Sequence, residues 1–520
     1  MAELAGLIGV EPGGRTADTV VTGISLNSRA VKAGDLYVAL QGASRHGADF
    51  VDQAVNQGAA AVLTDDAGAR ILALNESTSV PVVVASEPRA EVGRLAARIY
   101  GTAAGAGALR LFAVTGTNGK TTTTYFINSL LRALGRRPGL IGTIEILAGG
   151  EAIPSVLTTP ESPDVHALLA LMRERGLDSA SMEVSSHALQ FNRVDGVTFD
   201  VAGFTNLTQD HLDLHGTLAE YFRTKAELFT QSRARTAVVT VDDDWGRQLA
   251  GQAAIPVLTL ATAPAAGARG QEPAADWRVS AQRPKGLGTE FTLTGPDGAE
   301  LNVHCGLPGG FNVSNAALAT VMVLASGVPV QELQAALDAR DPFMVAVPGR
   351  MQLVATSPAA VVDFAHNPDA LARALEAVRP PAADGKLIVV FGATGQRDQG
   401  KRPGMGAIAV AGADVVIITD DDPHDEDAAG IRADVLAGAV QARDGQHPGC
   451  TVLEVFPRAE AISKAVELAG PLDTILVAGR GHEVWQEVKG VNLALDDRVE
   501  LRAALTARGF NVLQDERIES

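Results

Sequence analysis

The sequence predicts an α/β protein of three domains built on mostly parallel sheets. Three observations carry that prediction. The chain has 520 residues, too many for one compact core. An apolar run, Leu109 to Val114, opens directly onto T-G-T-N-G-K-T-T at Thr115 to Thr122, the layout of a strand, a glycine-rich turn and a helix start. Beyond it, buried-strand patterns alternate with amphipathic segments, the rhythm of βαβ units.

The elements follow in chain order. The opening M-A-E-L-A-G-L-I-G-V has no basic start and only a short apolar stretch, so it does not read as a signal peptide. The first hundred residues are short in period and less distinct. A seam of small residues, Gly101 to Gly107, precedes the phosphate-loop strand. Ser179 to Val184, Asp200 to Phe204 and Thr236 to Val241 read as buried strands, each followed by polar turn residues and an amphipathic segment. Ala263 to Asn302, rich in Pro and Gly with alternating strands, reads as a surface β insertion. A second seam lies near Pro342 to Arg350. The last third repeats the rhythm in Ala360 to Ala365, Lys386 to Phe391, Asp414 to Thr419 and Thr474 to Ala478. Ligands gather at the carboxyl ends of such strands. Neither an internal repeat nor a low-complexity tract beyond alanine richness is present.

Composition excludes several classes. With 46% hydrophobic and 20% charged residues the chain is globular and not disordered. Lys and Arg number 43 against 61 Asp and Glu, a net charge of −18, which argues against nucleic acid or an anionic membrane as a partner. Cys305 and Cys450 lack metal-ligand spacing and read as small buried apolar side chains in a reducing compartment. No apolar run approaches the ~18 residues of a membrane span, so the expected location is the cytoplasm.

The phosphate loop carries the first chemistry. Its glycines let backbone N–H groups approach phosphates, Lys120 can reach the β- and γ-phosphates, and Thr121 can hold Mg²⁺. The spacing departs from the usual loop: Val114 stands where the first glycine belongs, and Gly116 comes two positions later. Polar clusters follow at strand ends. Met182 to His187 places Glu183 at one, Asn206 to Asp213 gathers amide, carboxylate and imidazole, and Tyr221 to Phe229 sets Lys225 among large apolar groups. Singly, each has a plain structural role: Glu183 as a helix cap, His211 as a turn histidine, Lys225 as a solvated helix lysine. Their order after a phosphate loop points to a Mg-nucleotide site, since Mg²⁺ takes one or two carboxylates plus phosphate oxygens.

With these residues in place the chain resembles the Mur ligase family of cell-wall synthesis, and within it the members that add the third residue of the peptidoglycan stem peptide. The resemblance spans the chain. It rests on T-G-T-N-G-K-T-T, on T-T-P at Thr158 to Pro160, on M-E-V-S-S-H-A-L, and on N-L-T-Q-D-H-L-D-L-H-G. It continues through Tyr221 to Phe229, F-N-V-S-N-A at Phe311, V-P-G-R-M at Val347, D-F-A-H-N-P-D-A-L at Asp363, G-Q-R-D-Q-G-K-R-P at Gly395 and A-G-R-G-H-E at Ala478.

The resemblance implies a small N-terminal α/β UDP-binding domain over 1–104, a central P-loop ATPase-like domain with a mostly parallel sheet over 105–345, and a Rossmann-like C-terminal domain binding the amino acid over 346–520. It implies an ATP-dependent amide ligation: ATP phosphorylates the D-glutamate carboxylate of UDP-N-acetylmuramoyl-L-Ala-D-Glu, the incoming amine attacks the acyl phosphate, and phosphate leaves. The gathered negative charge calls for Lys120, two Mg²⁺ ions and arginines. By resemblance Lys120, His211 and Lys225 are catalytic. ATP is bound by Thr115, Gly116, Thr117, Asn118, Gly119, Lys120, Thr121 and Thr122, with Asn312, Arg350, His366 and Asn367 across the domain joint. Thr121 and Glu183 hold one metal, and His211 and Lys225 the second. An ammonium cannot ligate a cation, and the family's matching lysine carries a carbamate from CO₂; burial would supply the lowered basicity this needs. Leu26, Ser28, His46, Thr158, Thr159, Ser185 and Arg193 match contacts to the UDP-muramoyl-dipeptide. Asn27 stands at the uracil contact where the family usually has aspartate; Phe191 stands where it often has glutamine, and that glutamine role is not carried over.

The amino acid added is read from Asp421-Asp422-Pro423-His424. Ligases for meso-diaminopimelate carry D-N-P-R there, whose arginine grips the distal carboxylate. Here that planar fork is missing and Asp425, Glu426 and Asp427 follow, so a simple diamine, lysine or ornithine, is favoured. Diaminopimelate is the alternative. Arg397 is assigned to the α-carboxylate, and Gly479 and Glu483 to the far end, with Asp421, Asp422 and His424. A monomer is expected. Two rivals stand beside this reading: a folylpolyglutamate synthase, which shares the loop and the chemistry, and a nucleotide-gated binding protein without turnover.

Overall fold

The computed structural model describes residues 1–10, 18–42, 44–74, 78–103, 109–262 and 274–514. Among the described residues three large sheets, each with its own core, follow in chain order, and a two-stranded sheet of Trp485–Val488 and Val491–Ala494 comes after the last of their strands. The first is parallel and four-stranded among the described residues, ordered Gly23–Ser25, Asp35–Ala39, Ala61–Thr64, Val82–Val84. Its strands are too short for the sequence pattern to announce them. They hold because Leu36, Val38, Ala61 and Leu63 pack against Val92, Leu95 and Ala96 of helix Pro88–Tyr100. The seam Gly101 to Gly107 lies partly outside the described residues, at 104–107.

The central sheet runs to eleven strands among the described residues. Its parallel part pairs Val257–Ala261, Ala234–Thr240, Phe199–Phe204, Arg110–Thr115, Ser179–Glu183 and Pro138–Ile141 in that order. The three strands expected after the phosphate loop are therefore present, shifted by a residue or two. Strand Arg110–Thr115 lies between two later strands, so the chain turns to opposite sides of it. This topological switch opens a crevice at its carboxyl end, where the phosphate loop begins.

The region expected as a surface insertion is instead the edge of this sheet. Strands Trp277–Lys285, Gly288–Thr294 and Glu300–Cys305 form an antiparallel extension, while 263–273 lie outside the described residues. Trp277, Phe291, Leu293, Leu301 and Cys305 turn one face inward onto helix Gly310–Ala325, which the alternating pattern allows and the Pro/Gly content obscured.

The third sheet is six-stranded among the described residues, ordered Gln352–Thr356, Ala359–Asp363, Thr474–Ala478, Leu387–Phe391, Val415–Ile418, Thr451–Glu454. Only the first pair is antiparallel. All four strands expected in the last third are there. Both cysteines are free and buried, as expected of small apolar side chains. Among the described residues, no helix is long and apolar enough to cross a membrane.

Candidate active site

Strand Arg110–Thr115 runs into helix Lys120–Ala133 through Gly116 to Gly119. Gly116 and Gly119 adopt φ of 144° and 91°, and side chains there would collide. A Cβ would lie 1.8 Å from Thr205 Oγ1 at Gly116 and 2.4 Å from Asn315 Oδ1 at Gly119. The loop is braced from the next strand end: Thr117 N–H donates to Asn206 O at 2.9 Å, Asn118 N–H to Asn206 Oδ1 at 3.1 Å, and Thr205 Oγ1 to Asn118 O at 2.7 Å. Lys120 folds back, its Nζ donating to Gly116 O at 3.0 Å and Thr117 O at 2.8 Å. Burial lowers its basicity, and Glu183 and Asp210 counter part of that effect.

Glu183 is fully buried and is not a helix cap. Its Oε2 accepts from Thr121 Oγ1 at 2.8 Å and Thr143 Oγ1 at 3.1 Å, and its Oε1 accepts from Thr143 N–H at 2.7 Å. Thr121 and Glu183 thus form a paired oxygen set beside Lys120. Lys225 is not a solvated helix lysine, being 1% exposed. Its Nζ donates to Gly116 O at 2.8 Å and sits 4.5 Å from the centre of the Tyr221 ring. Burial, then repulsion from Lys120, holds its basicity well below that of an ordinary lysine. Burial also pushes His211 down to about 4, against the pull of Asp210. The His211 ring meets His187 edge-on with centroids 5.0 Å apart. Burial acts to raise Asp210, but a hydrogen bond and charge from His366, with His211 and Lys401, keep it well below the usual carboxylate range.

The third domain closes over this loop. Asn367 Nδ2 donates to Asn118 Oδ1 at 3.2 Å, and Asn118 Nδ2 to Asp369 Oδ2 at 3.1 Å. His366 Nε2 lies 3.6 Å from Asp210 Oδ2. Arg350 lies over Phe364, 4.1 Å from its ring centre. Asn312 donates to Pro308 O at 2.8 Å and accepts from Asn315 at 3.2 Å.

On the far wall, Arg480 pairs with Asp422. Burial tends to raise Asp421, but the nearby Arg458 and Arg480 charges lower it overall. Burial and then Asp421 raise Asp422, and burial followed by Asp421 pushes Glu483 up to about 8. Gly479 has φ 114° and lies so close that a Cβ would be 2.6 Å from Asp421 Oδ2. His424 Nδ1 is 2.9 Å from Glu487 Oε2.

One cavity of about 750 Å³ joins most of the expected residues. Thr117 to Thr122, Thr158, Glu183, Ser185, Arg193, His211, Asn312, Arg350, His366, Arg397, Asp421, Asp422, His424, Gly479 and Glu483 all line it. Thr115, Gly116, Thr159, Lys225 and Asn367 are buried residues that brace it from behind. Thr159 Oγ1 donates to Glu183 O at 2.8 Å, and Asn367 caps helix Pro368–Ala377. Arg193 is held by Glu161 at 2.9 Å and donates to Thr159 O at 3.3 Å. Leu26, Ser28 and His46 lie apart in the first domain, where Ser28 donates to Gln53 at 2.9 Å and His46 Nε2 meets Asp65 at 3.1 Å. Thr143, Asp210, Asp369, Arg480 and Glu487 complete the site and were given no role from sequence. Thr143 follows strand Pro138–Ile141, and the rule that ligands collect past strand carboxyl ends would have pointed to it.

Family models match in all three parts: the Mur ligase family catalytic domain at 20–103, the Mur ligase middle domain at 114–323, and the Mur ligase glutamate ligase domain at 349–481. A Streptomyces avermitilis protein named UDP-N-acetylmuramoyl-L-alanyl-D-glutamate--2,6-diaminopimelate ligase is 45% identical over 507 residues, 97% of this chain and 96% of that one. The chain belongs to the Mur ligase family. It is an ATP-dependent ligase that forms amide bonds. A Leifsonia xyli subsp. xyli protein named UDP-N-acetylmuramyl-tripeptide synthetase is 44% identical to this ligase over 512 residues, covering 98% of this chain and 96% of its own. A solved structure named UDP-N-acetylmuramoyl-L-alanyl-D-glutamate--2,6-diaminopimelate ligase is 30% identical, with a TM-score of 0.65 and coverage of 98% and 99%. The diaminopimelate in two of these names matches the alternative amino acid and not the favoured lysine or ornithine. The full-length relatives carry Mur ligase names, not those of a folylpolyglutamate synthase or of a binding protein without turnover.

Proposed function

We propose that this ligase joins a diamino acid to the D-glutamate carboxylate of UDP-N-acetylmuramoyl-L-Ala-D-Glu, using ATP, to make the third peptide link of the peptidoglycan stem. The observation that carries the reading is the shared cavity: a phosphate loop, a buried carboxylate and the Asp421–His424 loop face one another across the domain joint. The reading divides the chain at 1–104, 105–345 and 346–520, for the UDP end, ATP and the amino acid respectively. It places the reaction in the cytoplasm and in a monomer.

Lys120 neutralises phosphate charge, released from the loop carbonyls it now caps. Thr121 and Glu183 would hold Mg²⁺, and their paired oxygens suit a hard cation. Phosphate oxygens of ATP would complete the shell of such an ion. His211, kept neutral by burial, and Lys225 would serve a second ion. Mg²⁺ supplies charge neutralisation for phosphoryl transfer. Lys225 suits a carbamate because its amine is buried and weakly basic, and CO₂ reacts with the neutral amine. Thr158, Ser185 and Arg193 orient the muramoyl-peptide, while Leu26, Ser28 and His46 hold the UDP end. Asn312, Arg350, His366 and Asn367 complete the ATP site, and Arg397 takes the α-carboxylate of the incoming amino acid.

The relatives' names support meso-diaminopimelate as that amino acid. Lysine or ornithine is the second reading, favoured by His424 in place of a forked cation and by acids Asp421, Asp422 and Glu483 around the far end. A panel of amino acids with ATP and UDP-muramoyl-dipeptide, read by phosphate release and product mass, decides both questions. Absence of release with every diamino acid would overturn the proposal.

A further inference from the structure

The hairpin formed by Trp485–Val488 and Val491–Ala494 lies against the Asp421–His424 loop. The two are stitched together along the backbone. His424 N–H donates to Glu487 O at 3.2 Å, Lys489 N–H to His424 O at 2.8 Å, and Glu487 N–H to Asp422 Oδ1 at 3.1 Å. Gln486 Nε2 donates to Asp421 O at 2.5 Å. His424 itself has φ 51°, a left-handed conformation uncommon for a residue with a side chain. The hairpin therefore holds His424 in a backbone state that the loop alone would not favour.

The side chains settle which ring nitrogen does what. His424 Nδ1 is 2.9 Å from Glu487 Oε2. A carboxylate only accepts, so Nδ1 carries the proton and donates it to Glu487. In the neutral ring Nε2 is then an acceptor, and His424 lines the cavity. Acids Asp421, Asp422 and Glu483 share that wall.

We propose that Glu487 is a specificity-positioning residue: it fixes the tautomer and aim of His424, so that His424 Nε2 accepts a hydrogen bond from the distal ammonium of the incoming amino acid. This rests on the ligase reading above, but not on which diamino acid is used. Lysine, ornithine and diaminopimelate all carry a distal ammonium, and norleucine and 2-aminopimelate do not. The pair thus separates diamino acids from their monoamino analogues.

The test uses the full chain with ATP and UDP-muramoyl-dipeptide. KM and kcat are measured for lysine, diaminopimelate, norleucine and 2-aminopimelate in wild type, Glu487→Ala and Glu487→Gln. Glu487 is 41% exposed in its side chain, so neither variant disturbs a core. In Glu487→Ala, KM for the preferred diamino acid rises about tenfold, as one oriented hydrogen bond would give, while KM for ATP does not move. Selectivity over norleucine falls by the same factor. Glu487→Gln recovers most of the loss, because its amide oxygen still accepts from Nδ1–H. Nitrogen-15 shifts of His424 report the Nδ1–H tautomer in wild type and its loss in Glu487→Ala, independently of turnover. An unchanged KM in Glu487→Ala overturns the inference, as does an equal loss for 2-aminopimelate or the opposite tautomer in wild type. A wild type that ligates no diamino acid would refute the ligase reading, and the tautomer measurement would still decide the role of Glu487.

Discussion

Lys225 offers a direct separation of function from stability. The residue is 1% exposed, its amine donates to Gly116 O at 2.8 Å, and Lys120 is its main repelling charge. Burial holds its folded basicity well below that of the unfolded chain, whose lysines titrate near about 10.4. Below the folded value both states are charged, and the full cost of burying the charge is felt. Between the two values the unfolded chain binds the proton and the native protein does not, so stability rises with pH by at most about 1.4 kcal/mol per unit. Above the unfolded value both are neutral and the cost is gone. Lys225→Met keeps the length and apolar stem while removing the amine. In CO₂-free buffer the variant should be more stable than wild type at neutral pH, on the order of 1–4 kcal/mol, and the gap should close toward pH ~10.5. Ligation should be lost. Added bicarbonate should stabilise wild type and leave the variant unmoved, because only an amine takes up CO₂. Denaturant titration across pH, with and without bicarbonate, measures each term. A variant less stable than wild type at every pH would show that the buried amine is well accommodated as a cation, and would remove the physical basis for its carbamylation.

Three further outcomes follow from the same geometry. Lys120→Ala should fold normally and lose about 3 kcal/mol or more of transition-state stabilisation, read as kcat at saturating ATP; near-normal turnover would contradict the role given to the loop. Arg458 and Asp497 are both fully buried, 2.7 Å apart, and Arg458 also donates to Asp420 O and Ala478 O beside the Asp421–His424 loop. Arg458→Met strands the carboxylate and should cost about 3–5 kcal/mol by denaturant unfolding, whereas Arg458→Met with Asp497→Leu should recover most of it. His424→Arg supplies a planar fork that can pair a distal carboxylate, so kcat/KM for diaminopimelate relative to lysine should rise about tenfold or more; no gain would mean that position 424 does not meet the distal group.

The strands that carry the site were legible because their signal is local. Leu109 to Val114 and Thr474 to Ala478 are largely apolar stretches, Ser179 to Val184 alternates small polar and apolar residues, each runs into polar or glycine residues, and all appear within a residue or two. Strand Trp277–Lys285 reads as part of an insertion because the residues that bury it, on helix Gly310–Ala325, lie far along the chain. The four strands of the first domain were blurred because each is short, at 3 to 5 residues, and gains its stability from helix Pro88–Tyr100.

The site divides along the same line. Lys120, Thr121 and Glu183 could be placed because a strand end fixes where a following side chain must sit. What the sequence could not distinguish is a residue that faces the cavity from one that braces it. Thr159 and Asn367 match motifs as well as Thr158 and His366 do, yet they are fully buried, and their polar groups hold Glu183 O, Asn118 and a helix start. Asp210 and His211 are neighbours in the chain, but Asp210 acts mainly through His366, a residue of another domain. Glu487 was invisible for a related reason. It is a half-exposed glutamate on a short hairpin, unremarkable until the fold brings it within 2.9 Å of His424. Chemistry that resides in one loop survives in a linear reading. Chemistry shared between loops of different sheets exists only once those sheets are packed, and the contact of His424 with Glu487 is of that second kind.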